Sequence, residues 1–259
     1  MGSEMCIRDS LRIEAGALSD TAGNPSDSRT RQATELIPDT TRPTLDSFDF
    51  DLDAGVMTLH FDEAVDLSTF VLNELVIDEG IDDDPAFSPT SSTYAYVTDS
   101  LRDIEVTFTR EELNEIKRIQ VCSDNTTCFL YFPRTVMPGV TPIDIISDIA
   151  GNGVEIINFL QARSVSNFTA DTTPPRLERF TDFDLDSGRF SIRFDETVNT
   201  TSVDLTELTF TDWYAMNSPQ LNTVPFPITG GTVLSGIGCL LYTSPSPRDA
   251  TLSRMPSSA

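Results

Sequence analysis

The chain has 259 residues, with 17 Lys and Arg against 41 Asp and Glu, a formal net charge of −24. A field of that sign repels phosphate backbones and anionic headgroups, which argues against nucleic-acid binding and adsorption to acidic membranes. Hydrophobic residues make up 39% and 16 are Phe, enough for packed cores. The acidity therefore describes a solvated surface, or one that collects divalent cations, and not a disordered chain.

Taken from the start, residues 1–10 (MGSEMCIRDS) resemble a translated transposase-type sequencing adapter, and so do residues 239–259 (CLLYTSPSPRDATLSRMPSSA). One match corresponds to each strand of that element, and the alternative is a short genuine tail at each end. Such segments are set aside from fold reasoning. The expectation is an internal fragment, residues 11–238, truncated on both sides, so that the sequence is silent on any signal peptide or anchor.

Residues 11–38 contain LSDTAGN at 18–24, echoed by ISDIAGN at 146–152. Residues 39–74 (DTTRPTLDSFDFDLDAGVMTLHFDEAVDLSTFVLNE) recur at 171–207 as DTTPPRLERFTDFDLDSGRFSIRFDETVNTTSVDLTE. The opening Asp39 and Asp171 stand 132 positions apart. That spacing is one domain's worth of chain and predicts a tandem array of modules, not a solenoid of short repeats.

Within the first copy Phe48, Phe50 and Leu52 alternate with Asp49, Asp51 and Asp53, which predicts a strand with one wet face. After a turn at Gly55, the residues Met57, Leu59 and Phe61 alternate with Val56, Thr58 and His60. In the second copy Phe190, Ile192 and Phe194 are expected to face in, and Ser191 and Arg193 out. His60, the counterpart of Arg193, is thereby a solvent-face residue. Gly55 and Gly188 stand where a short hairpin loop needs positive φ. One extra residue between Phe180 and Phe183 predicts a β-bulge.

Further strands are predicted at residues 75–77, 94–97, 104–108, 119–121, 129–132 and 154–160. Thr109-Arg-Glu-Glu112 is a capping-box pattern, so a helix of one to two turns is expected to cross between two sheets. The DTTPP run at 171–175 reads as an extended linker. Seven or more short strands with little helix predict an all-β, two-sheet Greek-key sandwich.

Four features occur in order: an opening DTTPP, a strand pair ending in F-D-E-x-V, a Leu-Asn-Glu-Ile segment and a closing D-x-A-G-N. Together they resemble the bacterial-type immunoglobulin-like repeats (SbsA-like) of surface-layer and large adhesin proteins. The resemblance covers one complete repeat at 39–170, the end of a preceding one at 11–38 and the first half of the next at 171–238. It implies a non-catalytic extracellular module, spacer or adhesive stalk. Its implied partners are neighbouring repeats in the same chain and a cell-surface protein or glycan. The acidic insert Asp82-Asp83-Asp84 and the loop between Cys122 and Cys128 depart from the family pattern.

Five residues separate Cys122 from Cys128, short enough to bridge across a tight loop, and free thiols are the alternative. A disulfide would indicate an oxidising compartment. Zinc lacks a second Cys pair, and His60 is the one histidine. Asn125, Asn167 and Asn199 open glycosylation sequons. Asp49-x-Asp51-x-Asp53 fails as an EF-hand, because Gly falls one place late and His60 stands where a bidentate Glu belongs. The adjacent pairs Asp62-Glu63 and Asp195-Glu196 are ill placed for glycoside hydrolysis, since neighbours on a strand face opposite ways. A calcium ion is a better use of such acids, with Glu63, Asp148, Asn152 and Asp171 as ligands. The competing reading has Asp148 and Asn152 shaping a turn. Asp82 to Asp84 read as a solvated loop, and Trp213 and Tyr214 as sugar-stacking or packing aromatics. Calcium-dependent adhesion and an accessory role beside an extracellular hydrolase remain the rival functions.

Overall fold

The computed structural model describes residues 10–35, 37–80, 86–133, 144–184, 186–211, 225–235 and 240–244. The Asp82–Asp84 insert, Trp213 and Tyr214 lie outside the described residues. Two units divide the chain: Met1–Thr41 with Ala150–Asn152, and Arg42–Ile149 with Gly153–Ala259.

In the first unit β1 (Ser10–Ile13) and β2 (Arg29–Gln32) pair antiparallel. Between them the DTAGN motif closes a turn on one carboxylate. Asp20 accepts the backbone N–H groups of Ala22 and Asn24, each at 2.9 Å, and the Asn24 side-chain amide at 2.8 Å. Hydrogen bonding to Asn24 holds the Asp20 carboxyl below its ordinary pKa.

The second unit begins with the hairpin read from the alternation, β3 (Leu45–Asp51) and β4 (Val56–Phe61). Phe48, Phe50, Met57 and Leu59 are at most 1% exposed, and each such side chain contributes about 1.5–3 kcal/mol on burial. Gly55 turns the hairpin at φ +70°, and a Cβ there would meet the Leu113 side chain at 3.0 Å. There follow β5 (Val65–Asp66), β6 (Val76–Asp78), β7 (Thr93–Tyr96), β8 (Asp103–Thr107) and α1 (Arg110–Ile119). After the helix come β9 (Phe129–Tyr131), β10 (Ser147–Asp148), β11 (Arg163–Ser164) and β12 (Asn167–Thr169). One sheet has the order β12-β3-β4-β8-β7, with β12 parallel to β3; a second has the order β11-β9-β6; β10 pairs with β5. Phe48, Leu59 and Ile104 from the larger sheet, Ile77 and Leu130 from the smaller, and Ile116 from α1 share one hydrophobic core. The fold is therefore mostly β, with one α-helix among the described residues.

Helix α1 starts at the expected capping box. The Thr109 side chain accepts the Glu112 N–H, and the Glu112 carboxylate reaches back to the Thr109 N–H. The helix is longer than expected at ten residues, and this corrects the strand expected at 119–121. Gln120 stops it in the left-handed region at φ +62°, and Val121 and Cys122 then turn into the core. Nor is there a continuous strand at 154–160. Val154 and Ile157 are buried there, and a spacing of three does not put two residues on one face of a strand. A single bridge from Ile157 to Phe132 takes the strand's place, after one from Gly153 to Ser147 and before a 3-10 turn at Phe159–Gln161.

The second copy folds as β13 (Leu177–Asp184) and β14 (Arg189–Phe194), followed by β15 (Thr209–Phe210), β16 (Phe226–Pro227), β17 (Thr232–Ser235) and β18 (Leu240–Ser244). Both hairpins slip register at the same place, between Leu45 and Ser47 and between Leu177 and Arg179. The second slips again between Thr181 and Asp184, where Asp182 has φ +54°; this is the bulge required by the extra residue. Ser191 differs from expectation: it is 1% exposed, because its short side chain sits on a strand paired on both sides.

The order β13-β14-β18-β17 repeats β3-β4-β8-β7. Strand β18 belongs to the segment that the sequence reading set aside. It runs antiparallel along β14, with Ile192 opposite Leu241, on the edge where the complete sheet carries β8.

Candidate functional site

The F-D-E motif divides its labour between two adjacent acids. Asp62 accepts the Thr44 N–H at 2.7 Å, and its own N–H bonds the Thr44 carbonyl. Asp195 makes the same two bonds to Arg176. Each Asp thus pins the entry of its own hairpin. The following Glu, on the other side of the strand, is free of that task.

Glu196 spends its carboxylate on helix α1. Lys117 Nζ lies 2.8 Å from Glu196 Oε2 and 2.8 Å from Asp171 Oδ2. The helix presents Arg110, Asn114 and Lys117 at i, i+4 and i+7, one stripe of its surface, while Ile116 faces the core. Asn114 accepts the Thr197 N–H at 3.0 Å on its side chain and the Thr197 hydroxyl at 2.8 Å on its carbonyl. Arg110 bonds Glu178 at 2.7 Å, and Arg193 closes on the same carboxylate at 3.2 Å. Asp53, on the β3–β4 turn, accepts the N–H groups of Thr172 and Thr173, each at 2.9 Å. Those bonds, led by the one from Thr172, lower the Asp53 pKa to about 2.

The Lys117 and Glu196 side chains are only 12% and 13% exposed. Burial is the strongest single influence on Lys117 and pulls its pKa down. The hydrogen bonds and charges of Asp171 and Glu196 together outweigh it, so the pKa lies above the ordinary lysine value. The contribution of the Lys117 charge is accordingly present below that ordinary value and lost as pH rises through the raised one.

Of the residues expected to hold calcium, Glu63 and Asp148 come together, with carboxylate oxygens within 4.8 Å. Asp171 is engaged by Lys117. The Asn152 side-chain amide donates to the Asp39 carbonyl at 3.2 Å. Cys122 and Cys128 are joined, with an S–S distance of 2.05 Å. Asn125 is exposed on the loop they close. Asn167 donates its amide to Asp49 at 2.8 Å, and Asn199 caps a 3-10 turn by accepting the Thr201 N–H at 3.0 Å. The three acids of the DFDLD run each have a structural partner: Asp49 holds Asn167 and faces His60, Asp51 caps Ala54, and Asp53 ties the linker.

Sequence reasoning missed Lys117, Asn114, Arg110 and Asp53. The signal was present in the helix, where Arg110, Asn114 and Lys117 fall on one stripe that borders Leu113 and points away from Ile116. Nothing in that stripe specified what it faces.

No protein-family model and no curated protein matches the chain. Among solved structures it is similar to the surface layer protein SbsC, domains 1–6, at 16% identity and TM-score 0.30, over 56% of this chain and 16% of that one. The S-layer protein rSbsC(31-844) matches at 16% identity and TM-score 0.30, over 59% of this chain and 18% of that one. The N-terminal part of the bacterial S-layer protein SbsC matches at 15% identity and TM-score 0.30, over 56% and 27%.

Proposed function

We propose that the chain is a run of immunoglobulin-like repeats, complete at 39–170 and partial at 11–38 and 171–238, acting without catalysis as a spacer or adhesive stalk. Its parent is a large secreted or cell-surface protein. The observation that carries this reading is the joint just described. Helix α1 and the Asp53 turn bind the linker and the start of the next module through Lys117, Asn114, Arg110 and Asp53. A stalk sets reach and transmits force only if its joints resist bending, and side-chain contacts that span the linker supply that resistance. The Cys122–Cys128 bridge and the exposed sequon at Asn125 fit an oxidising, extracellular setting.

Small-angle scattering on the intact chain tests the proposal. A stiff joint gives one narrow distance distribution, which Lys117→Met combined with Asn114→Ala broadens. A broad distribution in the unaltered chain would overturn it.

Calcium-dependent adhesion is the second reading, favoured by the approach of Glu63 to Asp148. Chelation then lowers the melting temperature by several degrees, and an unchanged curve removes it. The reading of 239–259 as adapter sequence makes β18 a stand-in for the missing counterpart of β8. Leu-Leu-Tyr-Thr-Ser has strand propensity enough to close an open edge, so deleting residues 239–259 is expected to increase self-association.

A further inference from the structure

The two matched hairpins differ along one edge. In the first copy β12 runs parallel along the outer side of β3, with Phe168 opposite Phe50. The Ser166 N–H donates to the Phe48 carbonyl at 2.8 Å, and the Leu52 N–H to the Thr169 carbonyl at 2.9 Å. The Phe168 ring meets Phe50 edge-on, with centroids 6.4 Å apart. In the second copy β13 ends its sheet, and among the described residues no strand lies on its outer side. Leu45, Phe48 and Phe50 are at most 1% exposed, whereas their counterparts Leu177, Phe180 and Phe183 are 39–59% exposed. We infer that the outer edge of β13 accepts one added parallel strand, the closing strand of a repeat, an uncharged extended segment of the S-x-N-F-T kind. The inference rests on the repeat reading given above and names what fills the open edge.

Backbone, side chains and charge each select that occupant. Phe180 stands opposite Ile192 as Phe48 stands opposite Leu59, which sets the Phe180 carbonyl on the open side, like the Phe48 carbonyl that Ser166 uses. An unpaired strand edge of this kind is a template for strand addition. Asp182 precedes Phe183 as Asp49 precedes Phe50, and Asp49 accepts both the N–H and the side-chain amide of Asn167, at 3.1 and 2.8 Å. An aromatic ring in the added strand would cover Phe183 as Phe168 covers Phe50. Residues 164–170 (SVSNFTA) carry no charge, whereas β13 has Glu178, Asp182 and Asp184 against the single Arg179. Pairing β13 with β13 of a second copy would set those acids against one another. A neutral strand avoids that repulsion.

A peptide of residues 164–170, titrated into the intact chain and followed by amide NMR, tests the inference. It is expected to bind saturably and to shift the signals of 177–184. In the peptide, Ser166→Pro removes the N–H offered to the carbonyl and is expected to abolish binding. Phe168→Ala in the peptide is expected to weaken binding about tenfold. A spin label on the peptide N-terminus should broaden 177–179 more than 183–184, because the strands run parallel. Lack of saturable binding, equal binding of a scrambled peptide, or the opposite broadening would overturn the inference. So would shifts confined to 45–51, since the peptide would then only displace β12. Shifts at 177–184 that depend on dilution without peptide would also overturn it, since a second copy would then be the occupant. Only the peptide is altered, so no outcome reflects a misfolded chain. Scattering keeps the two readings apart: a narrow distance distribution upholds the stalk even where no peptide binds, and a broad one sinks the stalk alone.

Discussion

Residues 39–77 and 171–210 share their local bonds and differ in burial. Both hairpins slip register at the same point, both pin their entry with the Asp of F-D-E, and both continue into a capped 3-10 turn, at Leu67–Thr69 and Thr200–Ser202. Yet Phe48 is fully buried, whereas its counterpart Phe180 is 44% exposed and stacks with Phe183, Phe190 and Phe210. The first hairpin is closed over by Ile77, Leu130 and Ile116, supplied from β6, β9 and α1. Local sequence therefore sets the hairpin, and chain far downstream sets its burial. The sharpest way to break this comparison is to truncate the two matched rings. Phe48→Ala is expected to cost about 3–5 kcal/mol in urea unfolding, and Phe180→Ala less than half as much. Equal losses would show that the second hairpin owns a complete core.

The same contrast explains what was legible beforehand. Alternation at Phe48 to Phe61, the capping box at Thr109 and the bulge at Asp182 are consequences of a few neighbouring residues, and they stand where the sequence puts them. The strand expected at 154–160 failed because Ile157 is held by a single bridge to Phe132, 25 positions earlier, and Val154 by a backbone bond to Ile146. Of the calcium residues, Glu63 and Asp148 are adjacent. Asp171 answers instead to Lys117 in a helix 54 positions earlier in the chain, a contact that no local spacing encodes.

The disulfide sharpens the comparison further, because the second passage has none among its described residues. Replacing Cys122 and Cys128 together with Ala is expected to cost about 2 kcal/mol, the chain-entropy value for so short a loop. The loss should fall on the unfolding of the core around Phe48 and Leu130, and 190–210 should keep its hydrogen-exchange protection. A loss shared equally by both would show that they unfold as one.

Glu112 comes next in size. Its carboxylate, in a residue 8% exposed, accepts the Thr90 and Ser91 N–H groups at 2.6 and 2.7 Å and the Ser92 hydroxyl. Burial is the largest influence and raises its pKa, but those bonds outweigh it and leave the value below that of an ordinary glutamate. Its contribution is complete above the unfolded value and lost as pH falls through the folded one. Glu112→Gln is expected to cost about 1–2 kcal/mol near neutrality and to flatten the acid limb of the stability profile. An unaltered acid limb would assign acid unfolding to other carboxylates.

The smallest effect compares His60 with Arg193, the same outward position in the two hairpins. His60 Nδ1 lies 2.8 Å from Asp103 and Nε2 3.4 Å from Asp49. Burial, the largest influence, pulls the imidazole pKa down, and the hydrogen bonds and charges of the two aspartates more than offset it, so it is raised. The contribution is therefore full below the ordinary histidine value and is lost as pH rises through the raised one. A side chain 33% exposed is screened by water, so a loss of only a few tenths of a kcal/mol is expected between about pH 6 and pH 8. His60→Arg, which installs the residue of the second copy, should remove that slope, because a guanidinium stays charged throughout the range. Melting curves at the two pH values decide it. A slope that survives the substitution would place the titrating group elsewhere, and a stability that rises with pH would mean that the folded state favours neutral His60 over the ion pair.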